Sequence, residues 1–220
     1  MSRPILYIGN KNYSSWSMRP WLALKWGGIE FEERVIPLGG PGYGKSKIAE
    51  VLAVSPSGRV PSLHVDGATV WDSLAICEWV AEKAPSLWPA DATLRAVARS
   101  AAAEMHSGFA ALRRDGSMNV RRRAGKRDWP EDTRADIARL EELWTALRAR
   151  HGAGGPFLFG ERCIADAMYA PVCTRLRTYD VAMTDGSRAY CDAVFADDAF
   201  RDWERGAIAE SWTLPQTDAL

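Results

Sequence analysis

The apolar positions of the first 83 residues alternate between strand and helix periods. Pro4–Ile8 is a short apolar run rich in strand formers, and Phe31–Pro37 is a second strand signal. Between them Ser15–Gly27 carries a helical pattern. Trp16, Arg19 and Pro20 open it, Leu22, Leu24 and Trp26 continue it, and Gly27-Gly28 stops it. A proline fits such a helix within the first turn, where a missing N–H is harmless. Lys45–Ala53 predicts a short helix. Pro61–Val65 and Ala68–Trp71 predict two strands joined by Asp66-Gly67, a strong two-residue hairpin turn. Asp72–Lys83 predicts a helix, with Leu74, Ile76, Trp79 and Val80 as its apolar positions. The predicted order is β-α-β-α-β-β-α.

Beyond Pro85 the character changes. Ala84–Ala92 holds two prolines and reads as a linker, and no strand pattern of quality follows it. Leu94–Arg114, Glu131–Arg150, Ala165–Thr178, Arg188–Phe195 and Asp198–Glu210 predict helices. The chain therefore divides into an α/β domain at 1–83, a linker at 84–92 and an all-α domain at 93–220. Most of the ten tryptophans fall at helical apolar positions and read as core.

Charge sharpens this division. The chain has 28 basic and 28 acidic residues, a net charge of zero. That balance excludes a chain built mainly to coat nucleic acid or anionic membrane. The zero is a cancellation, because residues 95–127 carry +7 and residues 128–220 carry −7. The basic block is densest over Arg113–Arg127, and an anionic substrate, a dimer partner or solvent could face it. Cys77, Cys163, Cys173 and Cys191 show neither a CxxC nor a zinc-site spacing, so no metal is expected. The opening apolar run is too short for a signal peptide, and no run approaches a membrane span. A cytoplasmic protein with reduced thiols is the expectation.

Three segments carry candidate chemistry. Gly39-Gly40-Pro41-Gly42-Tyr43-Gly44-Lys45-Ser46 satisfies the phosphate-loop pattern. However, the strands that follow form a tight hairpin where a nucleotide-binding domain needs a parallel sheet, so a surface loop is favoured. At Arg59-Val60-Pro61, a cis bond before Pro61 would turn the Val60 N–H and C=O outward for an extended, peptide-like ligand. Asp72-Ser73 begins a helix. Asp72 reads as its N-cap, and the same helix end favours a ligand carboxylate. Asn12-Tyr13-Ser14-Ser15 precedes the first helix, where a hydroxyl could cap or could donate to a bound thiolate. The three histidines lie near no nucleophile elbow, which disfavours a Ser-His-Asp site.

Taken together, Pro4–Tyr7, Asn12–Leu22, Arg59–Pro61, Asp72–Ile76 and Ile164–Asp166 followed by Pro171 resemble the cytosolic glutathione transferase family along essentially the whole chain. The likeness is strongest to the serine-type, zeta-like classes. It implies a thioredoxin-like α/β N-terminal domain followed by an all-α domain, a homodimer, and glutathione as co-substrate. It also implies that Val60, beside Pro61, pairs with the cysteinyl backbone of glutathione. Asp72 and Ser73 would hold the γ-glutamyl end, and Arg59 with Lys45 would attract the glycyl carboxylate. Ungapped alignment places the family's active-site serine at Asn12 and its cysteine at Ser14. Asn12, Ser14 and Ser15 thus compete for the thiol, with Ser14 favoured. Met105, His106, Phe109, Arg113 and Trp212 are the electrophile-site candidates. Cys163 stands where the family has a capping Ser or Thr, so the helix at 164 should lean on Asp166. Asn12 at the serine position leaves a non-catalytic binding module open, and the basic block at Arg113, Arg114 and Arg121–Arg127 leaves open a glutathione-dependent isomerase or dehalogenase of a small organic acid.

Overall fold

The computed structural model describes residues 3–219, so Met1, Ser2 and Leu220, the outermost residues of the two predicted domains, lie outside the described residues. Ile5–Ile8 (β1) is apolar on both faces and takes a central position in a four-stranded sheet. It pairs in parallel with Glu32–Val35 (β2) and antiparallel with Ser62–Val65 (β3), which in turn pairs antiparallel with Ala68–Val70 (β4). Asp66 and Gly67 take φ values of +47° and +80°, as the predicted hairpin turn requires.

Ser15–Trp26 (α1) crosses between the two parallel strands. It is buried along most of its length because it packs against both Ser73–Lys83 (α3) and Ile164–Thr178 (α7). Pro20 lies at the sixth position of α1, beyond the first turn that the sequence suggested. Its ring removes the N–H that would bond the Trp16 carbonyl, and packing from both sides holds the helix across that gap. The helix predicted at 45–53 is reduced to Ala49–Leu52 (α2). Gly39, Gly42, Gly44 and Ser46 all take positive φ, so the residues before it form turns instead.

After a 3-10 turn at Pro85–Leu87 the remainder is helical: Ala92–Ser107 (α4), Ala110–Asp115 (α5), Glu131–His151 (α6), α7, Asp185–Ala196 (α8), Asp198–Ala209 (α9) and Pro215–Asp218 (α10). The continuous helix expected over 94–114 is broken. Gly108 is extended and Phe109 is left-handed, at φ 59° and ψ 44°, which redirects the chain between α4 and α5. The short α10 lies beyond the last helix that the apolar pattern predicts.

The buried side chains of α1, α3, α4 and α7 belong to one apolar cluster, with Trp144, Tyr169 and Trp203 fully buried. All four cysteines are free and buried. Asp166 is fully buried and anchors the start of α7. It accepts the Cys163 N–H at 2.8 Å and the Leu158 N–H at 3.1 Å. No described helix is long and apolar enough to cross a membrane.

Candidate functional site

Two helix starts and one strand start converge at a cleft. Ser14 is the N-cap of α1, Asp72 is the N-cap of α3, and the cis Val60–Pro61 bond precedes β3. A cavity of ≈ 360 Å³ is lined by Trp16, Ser57, Arg59, Val60, Pro61, Trp71, Asp72, Ser73 and His106. A second, of ≈ 340 Å³, shares Trp16, Arg59 and Val60 with it and is walled by Tyr13, Ser14, Leu38, Tyr43 and the Gly42–Ser46 turns. The two adjoin and form one cleft.

Its polar groups are held in place. One Asp72 carboxylate oxygen accepts the Leu74 and Ala75 N–H groups at 3.0 and 3.3 Å, while the other pairs with His106 Nε2 at 2.8 Å. This pair ties α3 to α4 across the cleft. The Ser73 hydroxyl is buried and has no protein partner, although its residue lines the cavity. A buried hydroxyl without a partner is costly, and a ligand carboxylate would satisfy it. Arg59 is oriented by its Nε donating to Ser46 Oγ at 3.0 Å. Lys45, expected beside Arg59, is exposed and lines neither cavity, because the glycine turns direct it outward.

The three candidates for the thiol separate cleanly. Asn12 is fully buried and committed: its Nδ2 donates to Asn119 Oδ1 at 2.9 Å and its Oδ1 accepts the Arg121 N–H at 2.9 Å. Ser15 Oγ faces away from both cavities and accepts from Arg175 Nη2 at 3.3 Å. Ser14 lines the cleft. Its Oγ accepts the Ser17 N–H at 3.3 Å and donates to Ser17 Oγ at 2.7 Å, so the hydroxyl proton can be redirected to a ligand by a small rotation.

Of the residues proposed for the second substrate, the structure brings only His106 to the cleft. Met105, on the buried face of α4, and Phe109, at the break that follows it, are both buried in the core. Trp212 is exposed and lines neither cavity. Arg113 lines neither cavity. Its Nε donates to the Gly108 carbonyl at 3.0 Å and its Nη2 to the Met105 carbonyl, which closes the end of α4, and its guanidinium stacks on Trp16 at 4.8 Å. The basic block around it is largely engaged with the protein's own carbonyls and carboxylates, although Arg114, Arg123, Lys126 and Arg127 stay exposed. Arg121 donates to the Glu210 and Trp212 carbonyls, Arg123 to those of Val120 and Arg122, and Arg114 pairs with Asp115 and Asp132.

The sequence reading missed a feature behind the cleft. Arg19 is fully buried, stacks on Trp16 at 4.3 Å, and has no hydrogen-bond partner on any guanidinium nitrogen. Arg175 is 6% exposed, and its Nε also lacks a partner, as does Arg113 Nη1. None of the three forms an ion pair among the described residues. Burial first, and then the neighbouring arginines, pull the pKa of Arg19 well down and that of Arg175 down to about 9. The available signal was two arginines set among apolar helix positions, at 19 and 175. A larger cavity, ≈ 570 Å³, lies elsewhere against Trp129 and Tyr179 and gathers none of the predicted site residues.

The comparisons agree with this geometry. Residues 13–83 match the family profile for the glutathione S-transferase N-terminal domain. The maleylacetoacetate isomerase of Pseudomonas aeruginosa is 30% identical over 203 residues, 89% of this chain and 93% of that protein. A solved maleyl pyruvate isomerase, described as a bacterial zeta-class glutathione S-transferase, superposes with a TM-score of 0.71 at 25% identity, covering 94% of this chain and 100% of that one. A glutathione transferase homologue from Burkholderia strain BGR1, crystallised with glutathione, superposes with a TM-score of 0.73 at 25% identity, covering 95% and 100%. The chain belongs to the glutathione S-transferase family, on its zeta-like branch, and is an enzyme of the glutathione transferase type.

Proposed function

We propose that the cleft binds glutathione extended across the sheet domain and that Ser14 stabilises its thiolate. One observation carries this reading: the N-termini of α1 and α3 and the Val60 backbone open on one cleft, where the buried Ser73 hydroxyl has no protein partner. Val60 offers its N–H and C=O to the cysteinyl unit. Ser73, with the N-terminus of α3, receives the γ-glutamyl carboxylate, and Arg59 the glycyl carboxylate. Bound glutathione supplies the sulfur nucleophile. A free thiol has a pKa of about 8.5, and lowering it by about two units takes roughly 2.7 kcal/mol in favour of the thiolate. A hydroxyl bond to a charged acceptor contributes about 1.5–3 kcal/mol and a helix end about 0.3–1 kcal/mol, so Ser14 at the start of α1 suffices.

Ser14→Ala is therefore expected to lower kcat/KM by about 10–150-fold and to abolish the rise in thiolate absorbance near pH 7, while Ser15→Ala retains that rise. Unchanged absorbance in Ser14→Ala would remove Ser14 from the thiol.

The buried arginines favour a second substrate that is a small organic acid. They line neither cavity, so they act on a carboxylate in the cleft through their positive field, across the Trp16 ring that Arg19 and Arg113 flank. A glutathione-dependent isomerase of such an acid is the finer reading, in keeping with the relatives' names. We further propose a cytoplasmic homodimer. Light scattering is expected to give about twice the 24.3 kDa chain mass, and a stable monomer would remove the dimer.

A further inference from the structure

We infer that the C-terminal segment, residues 210–218, is a strap that positions Ser14 and the Gly-rich loop at the cleft, with Tyr13 as its anchor. The identity of the ligand so positioned rests on the glutathione reading above. Tyr13 immediately precedes Ser14 and lines the same cavity. Its hydroxyl donates to the Asp218 carboxylate at 3.0 Å and accepts the Leu214 N–H at 3.2 Å and Arg121 Nη2 at 3.3 Å. A phenol has one proton and two lone pairs, so the tail and Arg121 fill its whole capacity. Upstream, the Lys11 and Asn12 N–H groups donate to the Glu210 carboxylate at 2.6 and 3.0 Å. Three consecutive residues leading into Ser14 are thus tied to the tail.

The same tail holds the opposite wall. Leu214 is 1% exposed and occupies the space over Gly39, where a Cβ would lie 2.4 Å from its methyl group. The Thr217 side chain meets the Tyr43 hydroxyl, and Tyr43 lines the cavity. α10 keeps Leu214, Thr217 and Asp218 together, since the Thr217 and Asp218 N–H groups both donate to the Leu214 carbonyl at 2.8 and 2.9 Å. The loop it braces contains Gly39, Gly42 and Gly44 at positive φ, belongs to no ladder and is held internally by turn bonds such as that from the Tyr43 N–H to the Gly40 carbonyl at 3.1 Å. Arg121, at the centre of the basic block, acts as the buckle: it donates to the Glu210 and Trp212 carbonyls as well as to Tyr13. Tyr13, Asp218 and Arg121 are positioning residues, acting through Ser14 and the loop.

The test uses the full chain with Tyr13→Phe, Asp218→Asn and Asp218→Glu. Glutathione affinity is read by calorimetry, bound thiolate by its absorbance near pH 7, and loop order by amide hydrogen exchange over residues 39–46. Tyr13→Phe and Asp218→Asn are expected to weaken glutathione at least five-fold, to halve the thiolate signal of the saturated protein, and to speed exchange in the loop. Asp218→Glu is expected to recover part of each. If the parent binds glutathione and both variants match it in affinity, thiolate signal and exchange, the strap is overturned even if their Tm falls. If the parent binds no glutathione, the functional reading falls, and exchange alone decides whether the tail orders the loop: equal rates overturn it.

Discussion

Replacing Arg175 by methionine is expected to raise stability by about 1–4 kcal/mol while lowering turnover of a carboxylate-bearing electrophile more than that of a neutral one. Arg175 is buried in α7, where its guanidinium donates to the Ser15 hydroxyl at 3.3 Å and the Pro171 carbonyl at 3.5 Å and meets no carboxylate among the described residues. Burial first, and then the Arg113 charge, pull its pKa down to about 9. A base with a depressed folded pKa holds its proton less tightly when folded than when unfolded. The penalty is therefore fully present below pH 9 and is relieved only as pH rises above 9 toward the ordinary arginine range. Across neutral pH it is constant, so the gain in Arg175→Met should be equal at pH 6 and pH 8. Methionine fills similar apolar volume without a charge. Denaturant titration measures the gain, and steady-state rates with an anionic and a neutral electrophile measure the loss. A variant less stable than the parent, or one equally impaired on both electrophiles, would sink the idea that this arginine cluster is kept for a substrate anion.

Asp166→Ala should destabilise the fold by about 2–5 kcal/mol near pH 5, because two buried N–H groups lose their acceptor at about 1–3 kcal/mol each. For a chain of this size that corresponds to roughly 5–15 °C in Tm. The groups are those of Cys163 and Leu158, and a cysteine at the N-cap is a poor substitute acceptor. The pH dependence has a definite sign. Burial pushes the Asp166 carboxyl from 3.8 up to about 6, partly offset by those same backbone bonds. A raised carboxyl pKa gives stability that is fully present below 3.8 and lost as pH rises through 6. The parent's advantage over the alanine variant should therefore narrow between pH 4 and pH 7. Thermal melts across that range test it. A difference independent of pH would show that the carboxyl is not the group that titrates there.

Much of the cleft is legible because its determinants are local. Ser14 and Asp72 read as caps from their place before an apolar helical run, and capping depends only on the next three residues. Arg59-Val60-Pro61 reads as a special strand entrance because proline cannot join a ladder. Arg113 is not legible in the same way. Its role follows from the turn at Gly108-Phe109, which sends it back onto the end of α4. Met105 and Phe109 read as part of one continuous helix, but the chain breaks between them, and the pattern does not say whether core or cleft lies opposite. Asn12 and Tyr13 are spoken for by residues about a hundred and two hundred positions away, a pairing that no window on the sequence contains.

By itself, the sequence determined the order and type of most elements, the two-part architecture and the helix ends that open on the cleft. Each of these follows from hydrophobic period, turn chemistry or capping within a few residues. The tertiary structure alone decided which of three polar side chains at the start of α1 lines the cleft, that Arg113 and Arg121 of the +7 block are tied to the protein's own carbonyls, and that Arg19 and Arg175 are buried without counter-ions among the described residues. These depend on what is packed opposite. A side chain's partners in the core are set by the approach of distant segments, and the desolvation that makes an arginine unusual exists only once the helices around it have closed.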